Sequence, residues 1–582
     1  VKISFFGVNN FRTISGGIGN NRIIFKDSNT LFIYGANNAG KSTYLKAYMF
    51  FYSNEKPIID DFFKRDDNNS IEFELEVQLD DLDKERIEAK APKQKESYKK
   101  YLNNDFIRIK KVWSKNGTRI EDKNYTYDYS KGDSGEYDEV GYATIGLHQV
   151  FQSCLPKPVF IKAMPTEEEA KKILNEILKM MAENTLKTSD LDELKAAQNK
   201  IKELQDKMYD PELIETYQNS VNGYFNKIFG DTAICFKDQK DRVVWTENKL
   251  GRDFEIEFMK KNSQGEFDGN IPSSYSSVGH GTIRTAIFTL LLMRDVAERF
   301  ERRLGRKDYM VLFEEPELFL YPRMVKELRE LIYQVSTEDL PYQVLCASHS
   351  SSMIDLSKPK SSIIRLVNNS TGTKSYQIND QFLKDAKGIA TNAELKQEMY
   401  EVLRFNPYIC ESFYADEVLL IEGPTEEIIC RAFLQETPSD KSIFVLNCGT
   451  VNNIPFYQKI FSRFNIKYHV ICDTDKAEIV TVDQSGNADF DSGIQKTISE
   501  QYRNDCTAMN GNIGLLRTHN ITFEPAHQDV SIPDFLRFVD CGDRSKPFNA
   551  NLYWKDILRP NISHQDINKV PIIKYLNEII AH

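Results

Sequence analysis

Residues 31–43, LFIYGANNAGKST, leave this chain few ways to fold. A mostly apolar run must be a buried strand, G-x-x-x-x-G-K-S must be a tight loop, and a helix must begin near Lys41. The glycines let backbone N–H groups curl around phosphate oxygens, and the helix N-terminus adds its dipole. In this pattern Lys41 reaches the β- and γ-phosphates of ATP and Ser42 ligates Mg²⁺, with Asn37, Gly40 and Thr43 completing the cradle. A strand that delivers such a loop into a helix predicts an α/β domain.

Three further segments fit the same site. In YMVLFEEPELFLYP (309–322) a buried strand ends at Glu314, placed to hold Mg²⁺ through water or directly, and Glu315 is placed to polarise the attacking water. VLCASHSSSM ends another apolar strand at His349, within reach of a γ-phosphate. In SSYSSVGHGTIRTAIFTLLL, Ser277, Gly279, His280 and Gly281 form a small-residue loop before an apolar helix starting near Thr282. Such a loop can present N–H groups to phosphate.

The stretch between these motifs is longer than a bare nucleotide fold needs. Within it, 166–208 is charged and helical in pattern, with Ile173, Ile177, Met180 and Met181 at helical spacing. Breaks near 184–190 predict a helical hairpin insertion.

At 582 residues the chain has room for two or three domains. No stretch approaches the roughly twenty apolar residues of a membrane span, and no signal peptide is evident. The nine cysteines lack C-x-x-C spacing, which predicts reduced thiols in a cytoplasmic protein and denies a zinc module. A net charge of −11 argues against a general nucleic-acid coat but leaves room for local patches. Two basic stretches exist: Lys93, Lys95, Lys99, Lys100, Arg108, Lys110 and Lys111, and Arg299, Arg302, Arg303, Arg306 and Lys307. Taken alone, each is better read as a solvated face.

From 406 onward the rhythm becomes strand–helix–strand–helix, which predicts a small parallel sheet. The strand VLLIE ends in Glu422, a Gly-Pro turn starts a helix carrying Glu426, and YHVICDTD delivers Asp473 and Asp475. If the two strands are parallel neighbours, Glu422, Asp473 and Asp475 meet at their carboxyl-end rim. Carboxylates gathered there repel one another unless a divalent cation neutralises them, so the arrangement reads as a Mg²⁺ or Mn²⁺ site.

In this order the first-half motifs resemble the ABC-type ATPase superfamily, and NNFRTI (9–14) resembles the opening strand of its SMC and recombination-repair branch. That likeness implies that the signature loop at Ser277 and Gly279 completes the nucleotide site of a second protomer, hence a homodimer or higher oligomer. Tyr321-Pro322 and Ser350-Ser351 depart from the usual His-Pro and Ser-Pro. YADEVLLIEGPTE, the turn at 447–450 and CDTDKA resemble the Toprim domain. The combination resembles the OLD (overcoming lysogenization defect) family of nucleases, which includes the nuclease subunit of Gabija anti-phage systems and effectors encoded beside some retrons.

The expected architecture is therefore an ABC/SMC-like α/β ATPase head at 1–405 with the insertion, followed by a Toprim α/β domain at 406–582. The family resemblance implies metal ligation by Glu422, Glu426, Asp473, Asp475 and Glu524, with Lys546 stabilising charge on the scissile phosphate. Two divalent ions about 4 Å apart can serve an in-line displacement. The expected function is an ATP-regulated, metal-dependent DNA endonuclease in phage defence. A helicase-like protein, or a retron reverse transcriptase with its RNA–DNA hybrid, is a possible partner. Two alternatives stay open: an SMC-like DNA-binding scaffold without nuclease activity, and a Toprim RNase acting on RNA such as tRNA.

Overall fold

The computed structural model describes residues 1–25, 28–53, 55–90, 99–117, 119–131, 136–139, 151, 154–164, 169, 172, 211–229, 232–238, 254–273, 279–291, 308–337, 342–357, 361–405, 408–473, 512–519, 522–528, 530 and 545–582. Ser277, Asp475, 173–208 of the expected hairpin and the basic stretch 299–307 lie outside the described residues. The chain divides into two compact units, 1–354 with 360–375 and 355–359 with 376–582. Residues 376–405, assigned to the head from sequence, cluster with the second unit; Arg463 Nε donates to Gln377 O and Lys459 Nζ to Ala386 O.

The first unit is built on a six-stranded sheet ordered Gly372–Asn379, Ser361–Asn369, Thr30–Gly35, Tyr342–Ala347, Tyr309–Glu314 and Lys157–Ile161. Its last five strands run parallel. Alternation along the central strands divides the core. Leu31, Ile33, Met310 and Leu312 face helix Lys41–Ser53 and the aromatic cluster of Phe6, Phe73 and Trp113, which belongs to a six-stranded antiparallel sheet. Phe32, Val311, Phe313 and Val344 face the opposite way, into a core shared with helices Pro211–Ile228, His280–Leu291 and Pro322–Thr337. A strand apolar on both faces is what a parallel sheet covered on both sides requires. Strands Ser361–Asn369 and Gly372–Asn379 are adjacent in the sheet.

The second unit has a four-stranded parallel sheet ordered Ile443–Asn447, Glu417–Ile421, Lys467–Asp473 and Ile513–His519. The first strand in sequence sits inside, with its successors on opposite flanks. The chain thus reverses its direction of winding between Glu417–Ile421 and Lys467–Asp473, the place where such sheets open a crevice. Helix Pro424–Glu436 and the C-terminal helix Pro571–Ala581 bury Ile429, Phe433, Ile572 and Leu576 against Leu419, Ile421 and Ile471. At the opposite rim, buried Glu417 accepts from His469 Nε2 at 2.7 Å and pairs with Lys441 and Lys467. Burial works against the carboxylate, but these partners hold its pKa down to about 2.

Gly35, where strand Thr30–Gly35 turns into the phosphate loop, has φ 150° and would place a Cβ 2.5 Å from the backbone O of Leu366. Gly35→Ala is expected to lower the midpoint of thermal unfolding by about 5 °C or more. Gly223→Ala, inside helix Pro211–Ile228 with no atom near the added carbon, should leave the midpoint unchanged or raise it. Equal midpoints for the Gly35 variant and wild type would contradict the assigned packing.

Candidate functional site

At the first site, sequence and sheet order act together. Tyr342–Ala347 lies between the loop strand Thr30–Gly35 and the acidic strand Tyr309–Glu314, so His349 emerges between them. Lys41 is buried, and its Nζ donates to Gly35 O at 2.8 Å and Ala36 O at 2.9 Å. Burial pushes its pKa down to about 8, opposed by Glu315 and Glu317. Ser42 and Thr43 open the helix, half-buried, and Asn37 is exposed on the loop.

Glu314 ends its strand. Glu315 then takes φ 45°, a left-handed conformation unfavourable for a side chain, held by its N–H donating to Ala347 O at 2.7 Å. Glu315 Oε1 lies 3.5 Å from His349 Nε2. Burial, followed by the nearby Lys41, lowers the His349 pKa, while Glu315 and Glu317 oppose that shift. The described site therefore gathers Lys41, Glu315 and His349. Gly279 is exposed, directly before helix His280–Leu291.

Two residues here escaped the sequence reading. Glu317 Oε1 accepts the His349 backbone N–H at 2.7 Å, and its Oε2 is buried without a hydrogen-bond partner among the described residues. Arg284, 1% exposed, donates to the backbone oxygens of Glu314 and Glu315. Glu317 was legible in principle as the third acid of EEPE; Arg284 left no local signal, because its partners are backbone atoms remote in sequence.

The second site lies at the carboxyl-end rim of the four-stranded sheet. Glu422 follows the strand Glu417–Ile421, and its Oε2 accepts the Asp473 N–H at 3.1 Å across the crevice. Glu426, in the first turn of helix Pro424–Glu436, is 3% exposed. Burial, then Asp473, then Glu422 and Glu524, push its pKa up to about 8, against a pull from its own backbone N–H. The helix has its Pro at the first position, where a missing N–H costs nothing, so it starts cleanly beside the rim.

Strand Ile513–His519 brings His519, which was not read as a site residue. Its Nδ1 lies 3.2 Å from Asp473 Oδ1 and 3.9 Å from Glu426 Oε1. Burial lowers its pKa to about 4. Glu426, Asp473 and His519 offer three ligand atoms all within 4.8 Å of one another. The donor set fits a divalent cation: a buried carboxyl with no lysine or arginine partner among the described residues, a second carboxylate and a neutral imidazole. Behind it, His527 Nδ1–H donates to Phe523 O at 2.7 Å and its Nε2 accepts from Ile572 N at 3.2 Å, so this imidazole is fixed and neutral. Burial, with His519 beside it, holds its pKa near 3.

Glu524 opens the short helix Phe523–Gln528, within electrostatic reach of Glu426. Its Oε1 pairs with Lys546 Nζ at 3.0 Å and its Oε2 accepts from Thr522 Oγ1 at 3.1 Å. Lys546 is otherwise largely exposed. Four members of the first basic stretch pair with carboxylates: Lys100 with Asp128 and Asp138, Arg108 with Glu76, Lys110 with Glu72 and Lys111 with Asp122. The sequence reading preferred a solvated face; Lys111 is instead buried. Among the described residues no helix is long and apolar enough to cross a membrane.

Fold and sites define an α/β domain of ATPase type followed by a Toprim-like α/β domain with a parallel sheet. Residues 31–355, more than half the chain, match the family described as AAA domain, putative AbiEii toxin, Type IV TA system, and the chain belongs to that family. Residues 413–475 match the overcoming lysogenization defect protein-like TOPRIM domain. The chain is 20% identical over 347 residues to the Old nuclease of Escherichia phage P2, an alignment covering 56% of this chain and 53% of that protein. It thus spans about half the length of the curated relative it matches. The SMC head domain from Thermotoga maritima aligns over 65% of this chain and all of its own, at 12% identity and a TM-score of 0.33.

The Glu426 carboxyl sets a pH dependence. Its pKa near 8 in the folded chain lies above an ordinary value of 4.5, so the native state holds a proton that the unfolded state has released between those limits. Metal-free protein should lose stability as pH rises through that window, and Glu426→Gln should remove this share of the loss. Urea midpoints at pH 5 and pH 8 in chelator check this; the same decline in variant and wild type would contradict it.

Proposed function

We propose that the chain is an ATP-regulated, divalent-metal-dependent DNA endonuclease, nicking or cutting duplex DNA as an anti-phage defence effector. The observation that carries this is a buried carboxyl, Glu426, held beside Asp473 and His519 at the crevice of a Toprim-like sheet. The match to the OLD-like Toprim domain and the likeness to the Old nuclease support the same reading.

Glu426, Asp473 and His519 would hold the ion, with Glu422, Glu524 and Asp475 completing the acidic surround. Divalent ions bound there would supply water activation and neutralisation of a leaving 3′ oxygen. The chain's own side chains fix that geometry. Glu422 pins the Asp473 backbone through its N–H, and His519 fixes the Asp473 side chain. Lys546 keeps Glu524 ionised, against the cost of burial and together with Glu524's own backbone N–H. With its ammonium at the surface, Lys546 is also placed to meet a phosphate.

In the first unit, Lys41, Ser42, Thr43, Gly40 and Asn37 would bind ATP and Mg²⁺, with Glu314 as a further metal contact. Glu315 and His349 would serve hydrolysis. Ser277 and Gly279 would complete the site of a second protomer in a homodimer of ABC/SMC-like heads. Nucleotide state would then control access to DNA, in a cytoplasmic complex that a helicase-like protein or a reverse transcriptase with its RNA–DNA hybrid could join.

The test is cleavage of supercoiled plasmid in Mg²⁺ or Mn²⁺, with and without ATP, against the Glu422→Ala, Asp473→Ala double variant. The variant should cut at least about 10²-fold more slowly, since it loses one ligand and the residue that positions it. No cutting by wild type that still hydrolyses ATP would overturn the DNA endonuclease reading and favour the scaffold. Cutting of tRNA alone would replace DNA with RNA as substrate.

A further inference from the structure

The helix His280–Leu291 is pressed onto the turn that follows the acidic strand. A Cβ on Gly281 would sit 2.8 Å from both Phe319 O and Leu320 Cδ2, so only glycine permits this approach. One turn on, Arg284 enters the interior and is 99% covered. Its Nη2 donates to the backbone oxygens of Glu314 and Glu315, and its Nη1 to Leu318 O at 3.4 Å. The guanidinium lies 5.5 Å from the centre of the Phe313 ring, the residue just before Glu314.

Burying this charge is costly: desolvation lowers the Arg284 pKa to about 10, against the pull of Glu317, Glu315 and Glu314. Among the described residues the Nε of Arg284 has no hydrogen-bond partner, so the burial is incompletely compensated there. Apolar residues of similar volume often fill such a place at no loss of stability. What a planar fork does, and an apolar side chain cannot, is fix several backbone oxygens at once. The two nearest belong to Glu314 and to the left-handed Glu315, whose N–H is already tied to Ala347 O. Glu315 is therefore clamped on both sides of its Cα, with its carboxylate facing His349.

We propose that Arg284 is a positioning residue for ATP hydrolysis. It fixes the backbone of Glu315, so that the helix behind Gly279 and the water-polarising carboxylate move as one body. This inference rests on the ATPase reading of the first unit. It adds a direct mechanical link between the phosphate-facing loop at Gly279 and Glu315, a link that passes through backbone oxygens.

The test is steady-state ATP hydrolysis and equilibrium binding of a fluorescent ATP analogue by the full chain, comparing wild type, Arg284→Lys, Arg284→Met and Gly281→Ala. Arg284→Lys should lower kcat by about 10²-fold, the usual cost of displacing a catalytic group by about 1 Å, with analogue affinity changed less than about twofold. Gly281→Ala, which would push the same helix away from the turn at Phe319 and Leu320, should lower kcat in the same way and decides the matter if Arg284→Met fails to fold. In a Glu315→Gln background, Arg284→Lys should cost almost nothing further, because it acts through Glu315. A purely structural arginine would give additive losses there, or a loss of nucleotide affinity, and either result overturns the proposal. Unchanged kcat in Arg284→Lys and Gly281→Ala also overturns it. A wild-type chain that binds no nucleotide fails the ATPase reading instead, and the two failures are distinguishable.

Discussion

Burial of the Glu426 carboxyl beside Asp473 is the constraint on which the second unit turns. A carboxylate hidden from water next to another carboxylate must either keep a proton or share a cation. Everything around it follows from bringing the two together: parallel strands that end at one rim, a Gly-Pro turn that starts a helix at once, and a reversal of winding that opens the crevice there. The opposite rim uses a different solution. Glu417 is ionised because His469, Lys441 and Lys467 surround it, and it serves as an internal anchor. One sheet thus carries a neutralised carboxylate at one end and an under-neutralised group of them at the other, and the proposed chemistry is assigned to the second.

The first unit gathers unlike charges instead. Lys41 is held on the loop's own carbonyls, while His349 faces it from the end of the adjacent strand and Glu315 and Glu317 from the end of the strand beyond. Strained backbone at Glu315 persists because Ala347 O and Arg284 over-determine it. Stored strain of this kind is tolerable where position matters more than stability, which is consistent with the hydrolytic role proposed for Glu315.

Much of this was legible in the sequence because short-range patterns dictate it. Apolar runs ending in Glu314, Glu422 and Asp473 are strands whose last residue must reach a rim, and the structure places all three there. The strand–helix alternation expected from 406 onward forms, with helices Pro424–Glu436 and Ile454–Arg463 following its first two strands. His519 and Arg284 were missed for a common reason. Each acts through a partner far away in the chain, and a lone His or Arg in an apolar run reads as packing. The unit boundary was also displaced, since a helix break at 406–407 looks like a linker although the preceding helices cluster with the second unit.

The most direct measurement is equilibrium binding of Mn²⁺ to the nucleotide-free chain, followed by loss of the free-ion electron paramagnetic resonance signal. Wild type should show saturable binding, and Glu426→Gln and Asp473→Asn should each weaken it by about 10-fold or more, as loss of a charged oxygen ligand demands. Binding that neither substitution alters would contradict the account, as would no saturable binding at all. The carboxylates at this rim would then be a charge cluster without a cation.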